Sequence, residues 1–289
     1  MAAIRIGIVG SDNTHALGFA TLLNIQKVYG DDVRVVAIAG DDPTQTQSVA
    51  DRGAIPSVVA SAAEMLNHID AGIVVNRRAS QHLANARPLA EAGLPVFIDK
   101  PLATDLAAAT EFLEFAKAQG SVVSSSSTLR WVTEVTDLSS AALTIKGPLT
   151  STFSGPCDFE SPYDGAFFYG IHTVEMALAV VPARAVRLRT IRVGAGRTVV
   201  IENIDESRTV LNLDPALNAF YGQVVGRSDA VTCRAAALPP DLPTLVDMFV
   251  EMVRTRRAPL ATQQLLEPVA ILGAIVESDR LMGDWVGIG

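Results

Sequence analysis

The sequence predicts two domains: an N-terminal α/β domain with a doubly wound parallel sheet, and a C-terminal α+β domain built on a large open, mostly antiparallel sheet. With 289 residues, 49% of them hydrophobic, the chain can bury two cores. Up to residue 126, short apolar runs alternate with segments of helical period, as in βαβ units. Beyond Arg130, longer stretches alternate in polarity, as in antiparallel strands. We therefore expect the domains to span residues 1–126 and 127–289.

The elements of the N-terminal domain follow from these runs in chain order. Apolar runs predict strands at residues 4–9, 33–39, 71–75, 95–98 and 121–124. Helical periodicity predicts helices at residues 14–28, 43–52, 81–92 and 106–119. Right-handed crossovers would wind these units into a single parallel sheet with helices on both faces.

The elements of the C-terminal domain are less regular. Alternating stretches at residues 187–193, 198–204, 208–213 and 222–234 predict the antiparallel sheet. A helix is predicted at residues 169–181, and two late helices at residues 242–256 and 265–282. These late helices are candidates to pack back on the first domain.

The composition excludes several classes of protein. A net charge of −8 and the lack of a basic stripe argue against a nucleic-acid surface. Cys157 and Cys233 have no metal-ligand spacing, and two cysteines do not form a disulfide framework. The start of the chain lacks a signal-peptide apolar region, and no apolar run reaches transmembrane length. We expect a cytoplasmic protein whose partner is a small molecule, with no metal, nucleic acid or membrane.

The strand at residues 95–98 ends abruptly in Asp99, Lys100 and Pro101, and proline cannot continue a central strand. Open α/β sheets bind their ligands in the crevice outside the carboxyl ends of the strands. Lys100 is therefore the first candidate for a catalytic or ligand-binding residue, with Asp99 beside it.

The first strand leads into a turn where a dinucleotide-binding protein would carry three glycines. Only the first, Gly10, is present, and the second and third positions hold Asp12 and His15. The side chain of Asp12 is expected to cap the next helix, where its carboxylate would repel a phosphate. The neighbouring side chains supply donors, so a rearranged turn could still hold an anion. The candidate cofactor-binding residues of this turn are Gly10, Ser11, Asp12, Asn13, Thr14 and His15.

Asp41 and Asp42 follow the second strand, where an acid usually binds the adenosine ribose hydroxyls. Asp41 is the nearer candidate, and two adjacent carboxylates would disfavour a 2′-phosphate, which favours NAD over NADP. The alternative is that Asp42 simply caps the helix that begins at Pro43.

A polar segment follows the strand at residues 71–75. Paired arginines at the carboxyl end of a strand can clamp a phosphate or carboxylate. The alternative is a solvated loop in which Ser80 caps the next helix. The candidate cofactor-binding residues here are Asn76, Arg77, Arg78 and His82.

His172 and Glu175 lie three residues apart on a predicted helix and so share a face. A histidine beside an acid can donate or accept a proton in catalysis, although an isolated one is more often a packing residue.

Taken in order, Gly7-Ile8-Val9-Gly10, Asp99-Lys100-Pro101, Gly170-Ile171-His172-Thr173-Val174-Glu175 and the segment 249–259 resemble the Gfo/Idh/MocA family of oxidoreductases over the whole chain. The resemblance implies a Rossmann domain followed by an open-sheet domain, and a homodimer or homotetramer. It also implies hydride transfer between NAD or NADP and a hydroxyl-bearing carbon, often of a sugar or cyclitol. Lys100 and His172 correspond to the catalytic residues of the family.

The sequence departs from the family pattern at several positions. Asp99 stands where the family usually has glutamate, and Arg77-Arg78 replace a usual Thr-Pro step. Phe168 stands where the family has an aspartate four residues before the histidine, and Tyr169, Asp164 or Glu175 are candidates to replace it.

The leading hypothesis is thus a dehydrogenase or reductase that acts on a small sugar, cyclitol or hydroxy acid. One alternative is a ligand-binding or regulatory protein without redox activity, and another is a lyase or hydrolase acting on an anionic substrate. The candidate substrate loop spans residues 155–169. The candidate substrate-binding residues are Lys100, Arg130, Trp131, Tyr169 and His172.

Overall fold

The computed structural model describes residues 3–146, 150–181, 184–236 and 242–289. Contacts divide the chain into two compact units. The first contains the chain up to Ala103 together with Ala107–Ser126 and Leu242–Leu265. The second contains Thr104–Leu106, Ser127–Asp241 and Leu266–Gly289.

The first unit is built on a six-stranded parallel sheet with the strand order β3-β2-β1-β4-β5-β6. This is the order of a doubly wound dinucleotide-binding sheet, and the prediction of that fold is confirmed. Chain order reverses between β1 and β4, which places the ligand crevice at the carboxyl ends of these two strands. The elements of this unit are β1 (Ile4–Val9), α1 (Thr14–Ala20), β2 (Val33–Ala39), α2 (Pro43–Gly53), β3 (Ser57–Val58), α3 (Ala62–Met65), β4 (Ala71–Val74), α4 (His82–Glu91), β5 (Val96–Ile98), α5 (Leu106–Ala118), β6 (Val123–Ser125) and, later in the chain, α8 (Leu242–Thr255).

The central strands of this sheet are buried on both faces, which explains why they read as continuous apolar runs. Phe97 of β5 contacts Phe19 of α1 and Phe249 of α8 edge to face, with ring centroids 5.9 and 6.3 Å apart. These contacts bring α8 into the core of the first unit.

The helix predicted at residues 14–28 is shorter in the structure. The α-helical hydrogen bonds end at Ala20, and a π-helical turn spans Thr21–Ile25. Asn24 in this turn is buried and bonds both the amide and the carbonyl of Val35 at 2.9 Å, besides the carbonyl of Gly53. A π-helical turn has one more residue per hydrogen-bonded turn than an α-helix, which changes the direction of the side chains that follow. The side chain of Asn24 in this turn therefore faces β2.

The second unit is built on a seven-stranded sheet with the order β12-β11-β7-β10-β9-β8-β13. The described pairs are antiparallel except for the parallel pair of β7 and β10, so the predicted mostly antiparallel sheet is confirmed. Its elements are α6 (Thr133–Ala142), β7 (Thr150–Gly155), α7 (Ala166–Val180), β8 (Ala185–Val193), β9 (Gly196–Asn203), β10 (Arg208–Leu213), β11 (Ala219–Val225), β12 (Ala230–Ala236), α9 (Thr262–Arg280) and β13 (Val286–Gly287).

The core of the second unit forms around α7, which buries side chains around most of its circumference, including Ile171, Val174 and Met176. The stretch predicted at residues 222–234 is two strands, β11 and β12, because Gly226 donates to the carbonyl of Asp229 and closes a tight turn. The sequence analysis missed α6 and β7. Among the described helices, none is long and apolar enough to cross a membrane.

Candidate functional site

Gly10 directly follows β1 at the reversal point of the first sheet. Its φ is +102°, and a Cβ atom on it would lie 2.6 Å from the backbone nitrogen of Asn76, which follows β4. Glycine alone accepts both constraints. The loops after β1 and β4 therefore approach each other at the position where a doubly wound sheet binds its ligand.

Asp12 does not cap α1, contrary to the sequence prediction. Asn13 is the cap, with an extended backbone and a side-chain oxygen that accepts from the amide of His15 at 3.1 Å. The carboxylate of Asp12 instead accepts from the backbone N–H of Arg77, at 3.1 and 3.3 Å to its two oxygens. It links the loops after β1 and β4, so a negative charge lies at the reversal point.

Asp99 directly follows β5, and three positive or hydrogen-bond-donating groups contact its carboxylate. The side-chain amide of Asn13 donates to it at 3.0 Å, and Nδ1 of His15 lies 3.1 Å from both of its oxygens. Burial raises the pKa of Asp99, but the positive charges of His15 and Lys100 and the hydrogen bond from His15 hold that pKa well below its usual range. Asp99 is therefore a buried anion.

Lys100 follows Asp99 and has a side chain that is only 8% exposed, with Nζ 3.9 Å from the Asp99 carboxylate. A buried ammonium needs a compensating charge, and Asp99 supplies it. His15 stands at the third glycine position of the usual turn, and Asp99 stands where the family usually has glutamate. These two residues contact each other directly beside the candidate catalytic lysine.

His82 is fully buried, and each ring nitrogen lies 2.7 Å from a backbone carbonyl, Nδ1 from that of Pro101 and Nε2 from that of Asn76. Burial lowers the pKa of His82 and outweighs the carbonyl contacts, which raise it. The ring ties the loop after β4 to the loop after β5. The expectation that His82 contacts a cofactor is not supported by this placement.

The remaining predicted cofactor residues of the first unit lie around the same crevice. Ser11 is buried and its Oγ lies 2.9 Å from Oγ1 of Thr46, while Thr14 is the first residue of α1. Asp41 follows β2 and is exposed. Asp42 caps α2, because its side chain accepts from the backbone N–H groups of Thr44 and Gln45.

The polar segment after β4 divides into buried and exposed parts. Asn76 is buried and accepts from the side-chain amide of Asn85 at 2.7 Å. Arg77 is half-buried and Arg78 is exposed. Ser80 lies within a 3₁₀ turn, Ala79–Gln81, so it is not the cap of α4.

In the second unit, His172 of α7 is half-buried and its Nδ1 lies 2.6 Å from Oγ of Ser127. The same oxygen accepts from the backbone N–H of Leu129 at 3.1 Å, which caps a 3₁₀ turn. The hydroxyl that contacts the histidine is therefore fixed by the backbone next to it.

Glu175, one turn after His172, is buried together with Arg130. Its Oε2 accepts from Nε of Arg130 at 3.0 Å, and its Oε1 accepts from the backbone N–H of Ser127 at 3.1 Å. Both side chains of this ion pair are at most 7% exposed. The pair holds the Arg130 guanidinium in place, and the role of Arg130 in substrate binding stays a prediction.

Aromatic rings surround His172. Tyr169 and Phe220 contact it edge to face, with centroids 5.3 and 5.8 Å away. Phe168, which stands where the family pattern has an aspartate, packs between Tyr163 and Tyr169, with ring centroids 5.0 and 5.2 Å away.

The predicted substrate segments have mixed structure. Within residues 155–169, Gly155 ends β7 and α7 begins at Ala166, so only the residues between them form a loop. Trp131 is half-buried at the end of the 3₁₀ turn Thr128–Trp131.

Ser127 was missed by the sequence analysis, because a serine 45 residues before a histidine carries no sequence signal. In the described part of the chain, no group of three or more His, Cys, Asp and Glu side chains could hold a metal ion.

Residues 4–127 match the family model described as "Oxidoreductase family, NAD-binding Rossmann fold", GFO_IDH_MocA. The matched region contains the Gly10 turn, Asp99, Lys100 and Ser127. No curated protein sequence matches the chain.

Solved structures share the fold over nearly the whole chain. GenD2 from gentamicin A biosynthesis, in complex with NAD, has a TM-score of 0.83 at 14% identity, covering 100% of this chain and 97% of that one. Myo-inositol 2-dehydrogenase from Lactobacillus plantarum has a TM-score of 0.83 at 15% identity, covering 99% and 100%. Myo-inositol dehydrogenase from Lactobacillus casei, with NAD(H) and myo-inositol, has a TM-score of 0.80 at 15% identity, covering 99% and 97%. At these identities, the likeness shows a shared fold.

Proposed function

We propose that this protein, a member of the Gfo/Idh/MocA family and an NAD-dependent dehydrogenase, interconverts an alcohol and a carbonyl on a small sugar, cyclitol or hydroxy acid. The observation that carries this proposal is the buried Lys100 ammonium, paired with Asp99 at the carboxyl end of β5. It lies in the same unit as the Gly10 turn and the reversal point of the sheet. The proposed cofactor site and Lys100 therefore both lie at the carboxyl ends of strands of the same sheet.

The residues of the first unit fit a dinucleotide, with one exception. The positive φ of Gly10 lets the chain turn sharply between β1 and α1, as a bound pyrophosphate requires. The exposed carboxylate of Asp41 after β2 suits ribose hydroxyls and disfavours a 2′-phosphate, which favours NAD over NADP. The exception is Asp12, whose negative charge at the reversal point weakens the binding of an anion.

When bound, the nicotinamide would accept a hydride from the carbinol carbon or return one. The oxygen on that carbon gains negative charge as its proton leaves, and a fixed cation lowers the energy of that state. Lys100 supplies this cation, and Asp99 holds its charge in place.

His172 is the proposed proton acceptor. A neutral imidazole has one ring nitrogen without a proton, and this nitrogen takes the hydroxyl proton in oxidation and returns it in reduction. Nδ1 already contacts Ser127, so Nε2 is the atom assigned to this exchange.

Titration of the purified protein with NADH and with NADPH, followed by nucleotide fluorescence and calorimetry, tests the proposal. Micromolar binding of NADH, tighter than that of NADPH, is expected. A screen of sugars, cyclitols and hydroxy acids for nicotinamide absorbance changes then identifies the substrate class. If neither nucleotide binds at millimolar concentration, the dehydrogenase assignment is wrong.

A second candidate is a ligand-binding or regulatory protein that keeps the fold without redox chemistry. The Asp12 carboxylate at the reversal point favours it, because it opposes the charge of a pyrophosphate. This candidate predicts that a sugar or cyclitol stabilises the protein against unfolding without any change in nicotinamide absorbance. Turnover with any of these ligands would exclude it.

We further propose a homo-oligomer, a dimer or tetramer, that assembles through the open sheet in the cytoplasm. Large apolar side chains are exposed on two strands of that sheet, three on β8 and two on β11, and association would remove them from water. They are Val186, Ile191, Val193, Tyr221 and Val225. Light scattering after size exclusion measures the mass directly, and Ile191→Lys on β8 is expected to lower it.

A further inference from the structure

The imidazole of His15 links the segments that follow β1 and β5. Its side chain contacts Asp99, which directly follows β5. Because β4 lies between β1 and β5 in the sheet, this contact spans the carboxyl end of β4, next to the reversal point. A titratable ring therefore occupies the crevice at the position where the usual turn has its third glycine.

The contact with Asp99 determines which ring nitrogen carries a proton. Oδ1 of Asn13 accepts from the backbone N–H of His15, so the amide nitrogen of Asn13 is the atom that donates to Asp99. Asp99 is ionised at neutral pH, and an ionised carboxylate can only accept hydrogen bonds. Nδ1 of His15, 3.1 Å from both carboxylate oxygens, is therefore the donor in either charge state of the ring.

The other ring nitrogen, Nε2, is accessible. The side chain of His15 is 27% exposed although Asp99 beside Nδ1 is buried, and Nε2 has no hydrogen bond to any part of the chain that the structure describes. With the proton fixed on Nδ1, Nε2 of the neutral ring presents a lone pair, and Nε2 of the imidazolium presents a proton. An anion in the crevice is therefore repelled by the neutral ring and bound by the charged one.

We propose that His15 binds the diphosphate of the dinucleotide as an imidazolium, so that nucleotide binding takes up one proton from water onto Nε2. This inference rests on the proposed function, which assigns a nicotinamide dinucleotide to this crevice. The charged ring would replace the close backbone approach that the missing glycines provide. The proton returns to water when the nucleotide dissociates.

Charged groups on three loops surround the pair. Asp99 stabilises a proton on His15, whereas Lys100, with Nζ 3.9 Å from the Asp99 carboxylate, opposes it. On the turn itself, Asp12 accepts from the backbone N–H of Arg77 and adds negative charge. A diphosphate adds further negative charge, which favours the protonated ring. The other titratable or charged groups after β2, after β4 and at the start of α4 are Asp41, Asp42, Arg77, Arg78 and His82.

The elements packed against α1 carry their charges away from His15. Asp51 and Arg52 lie in the last turn of α2, at the opposite end of the sheet, because the crossover helices run antiparallel to the parallel strands. Arg34 lies near the amino end of β2. Three groups of α8 act on Tyr29 instead: Asp247, Glu251 and Arg254.

Calorimetry of NADH binding in two buffers with different heats of ionisation counts the protons taken up. Between pH 6 and pH 9, the uptake is expected to rise toward about one proton per nucleotide as the free ring loses its proton, and the affinity falls over the same range. ADP-ribose, which has the diphosphate and no nicotinamide, should take up the same fraction. Uptake with NADH but not with ADP-ribose would contradict the assignment to the diphosphate.

Variants assign the proton to one ring. His15→Gln should abolish the uptake and weaken NADH binding about 10- to 100-fold at pH 6, because a charge-assisted hydrogen bond is lost. His15→Lys keeps a positive charge and is expected to bind NADH without proton uptake. His68→Gln, at an exposed histidine of the same unit, is the control and should leave uptake and affinity unchanged.

Nitrogen NMR tests the ring directly in the unmodified protein. The chain has four histidines, and His15→Gln identifies the His15 signals in long-range ¹H–¹⁵N spectra. The neutral ring of the free protein is expected to carry its proton on Nδ1, and NADH should add a proton to Nε2. A neutral ring protonated on Nε2 overturns the proposal. If His15→Gln does not fold, His68→Gln and the other single-histidine variants assign the spectrum by elimination.

The two hypotheses fail separately. NADH binding without proton uptake at any pH from 6 to 9, or unchanged uptake in His15→Gln, overturns the role of His15 and leaves the dehydrogenase assignment standing. If neither NADH nor NADPH binds at millimolar concentration, both are wrong.

Discussion

The two candidate catalytic residues are held in different ways. Around Lys100, opposite charges meet directly: Asp99 is a buried carboxylate in contact with His15 and Lys100. Around His172, the ion pair of Glu175 and Arg130 lies one residue further out and reaches the imidazole through the neutral Ser127. The comparison teaches that a buried ammonium is described next to an opposite charge, as its desolvation requires, whereas the described contact of the half-buried imidazole is a hydroxyl fixed by the backbone.

Removal of the ammonium is expected to have the largest effect. Lys100→Met is predicted to lower kcat/KM about 10³-fold, because the oxygen that develops negative charge loses its cation. Steady-state kinetics measure the loss in kcat/KM, and the urea midpoint shows whether the variant keeps its stability. Lys117→Met, on the far end of α5 in the same unit, is the control and should leave kcat/KM unchanged. A loss smaller than about 10-fold would remove Lys100 from the catalytic role.

Removal of the second unit's buried charge is expected to destabilise the fold. Glu175→Ala removes the hydrogen-bonded carboxylate of the buried Arg130 and should cost about 3 kcal/mol or more of the free energy of unfolding. Glu202→Ala, in the more exposed pair with Arg187, should cost about 1 kcal/mol or less. Urea denaturation at neutral pH measures both, and equal losses would contradict the structural role of the buried pair.

The charge on Asp99 predicts a dependence of stability on pH. Its pKa is lowered in the folded state, so its contribution is present above the unfolded pKa near 4 and is lost as pH falls through the folded pKa. Asp99→Asn should therefore lose less stability than the unmodified protein between pH 5 and about pH 3. Asp41→Asn, at an exposed site, should show the unmodified pH dependence. The free energy of unfolding of the unmodified protein and of both variants, measured at each pH, tests this prediction. Equal losses in Asp99→Asn and in the unmodified protein would contradict it.

The smallest expected effect concerns the charge at the reversal point. Asp12→Asn keeps an oxygen to accept from the amide of Arg77 and removes the charge that repels a phosphate. Its NADH affinity should rise about 3- to 10-fold, with a weaker salt dependence. Asp41→Asn should instead narrow the preference for NADH over NADPH. Calorimetry at two salt concentrations measures both variants, and weaker NADH binding by Asp12→Asn would show that the carboxylate supports the turn.

Local sequence patterns predicted most of the fold. The apolar runs that became β4 and β5 are buried along their whole length, and those that became β1 and β2 are buried over their last residues. Composition alone is enough to predict such strands. Shorter or mixed elements were missed, among them β7, whose Thr and Ser residues carry little hydrophobic signal. The π-helical turn at Thr21–Ile25 was also beyond prediction, because it depends on a buried bond between Asn24 and a neighbouring strand.

The sequence by itself predicted the fold class, the resemblance to a family of oxidoreductases, and Lys100 and His172 as candidate catalytic residues, because apolar periodicity and short motifs are local properties. The tertiary structure decided which side chains serve them. Asn13 rather than Asp12 caps α1, His15 contacts Asp99 across 84 residues, and Ser127 contacts His172 across 45. Hydrogen bonds between residues so far apart in the chain depend on distances that only the folded chain sets, to within a fraction of an ångström.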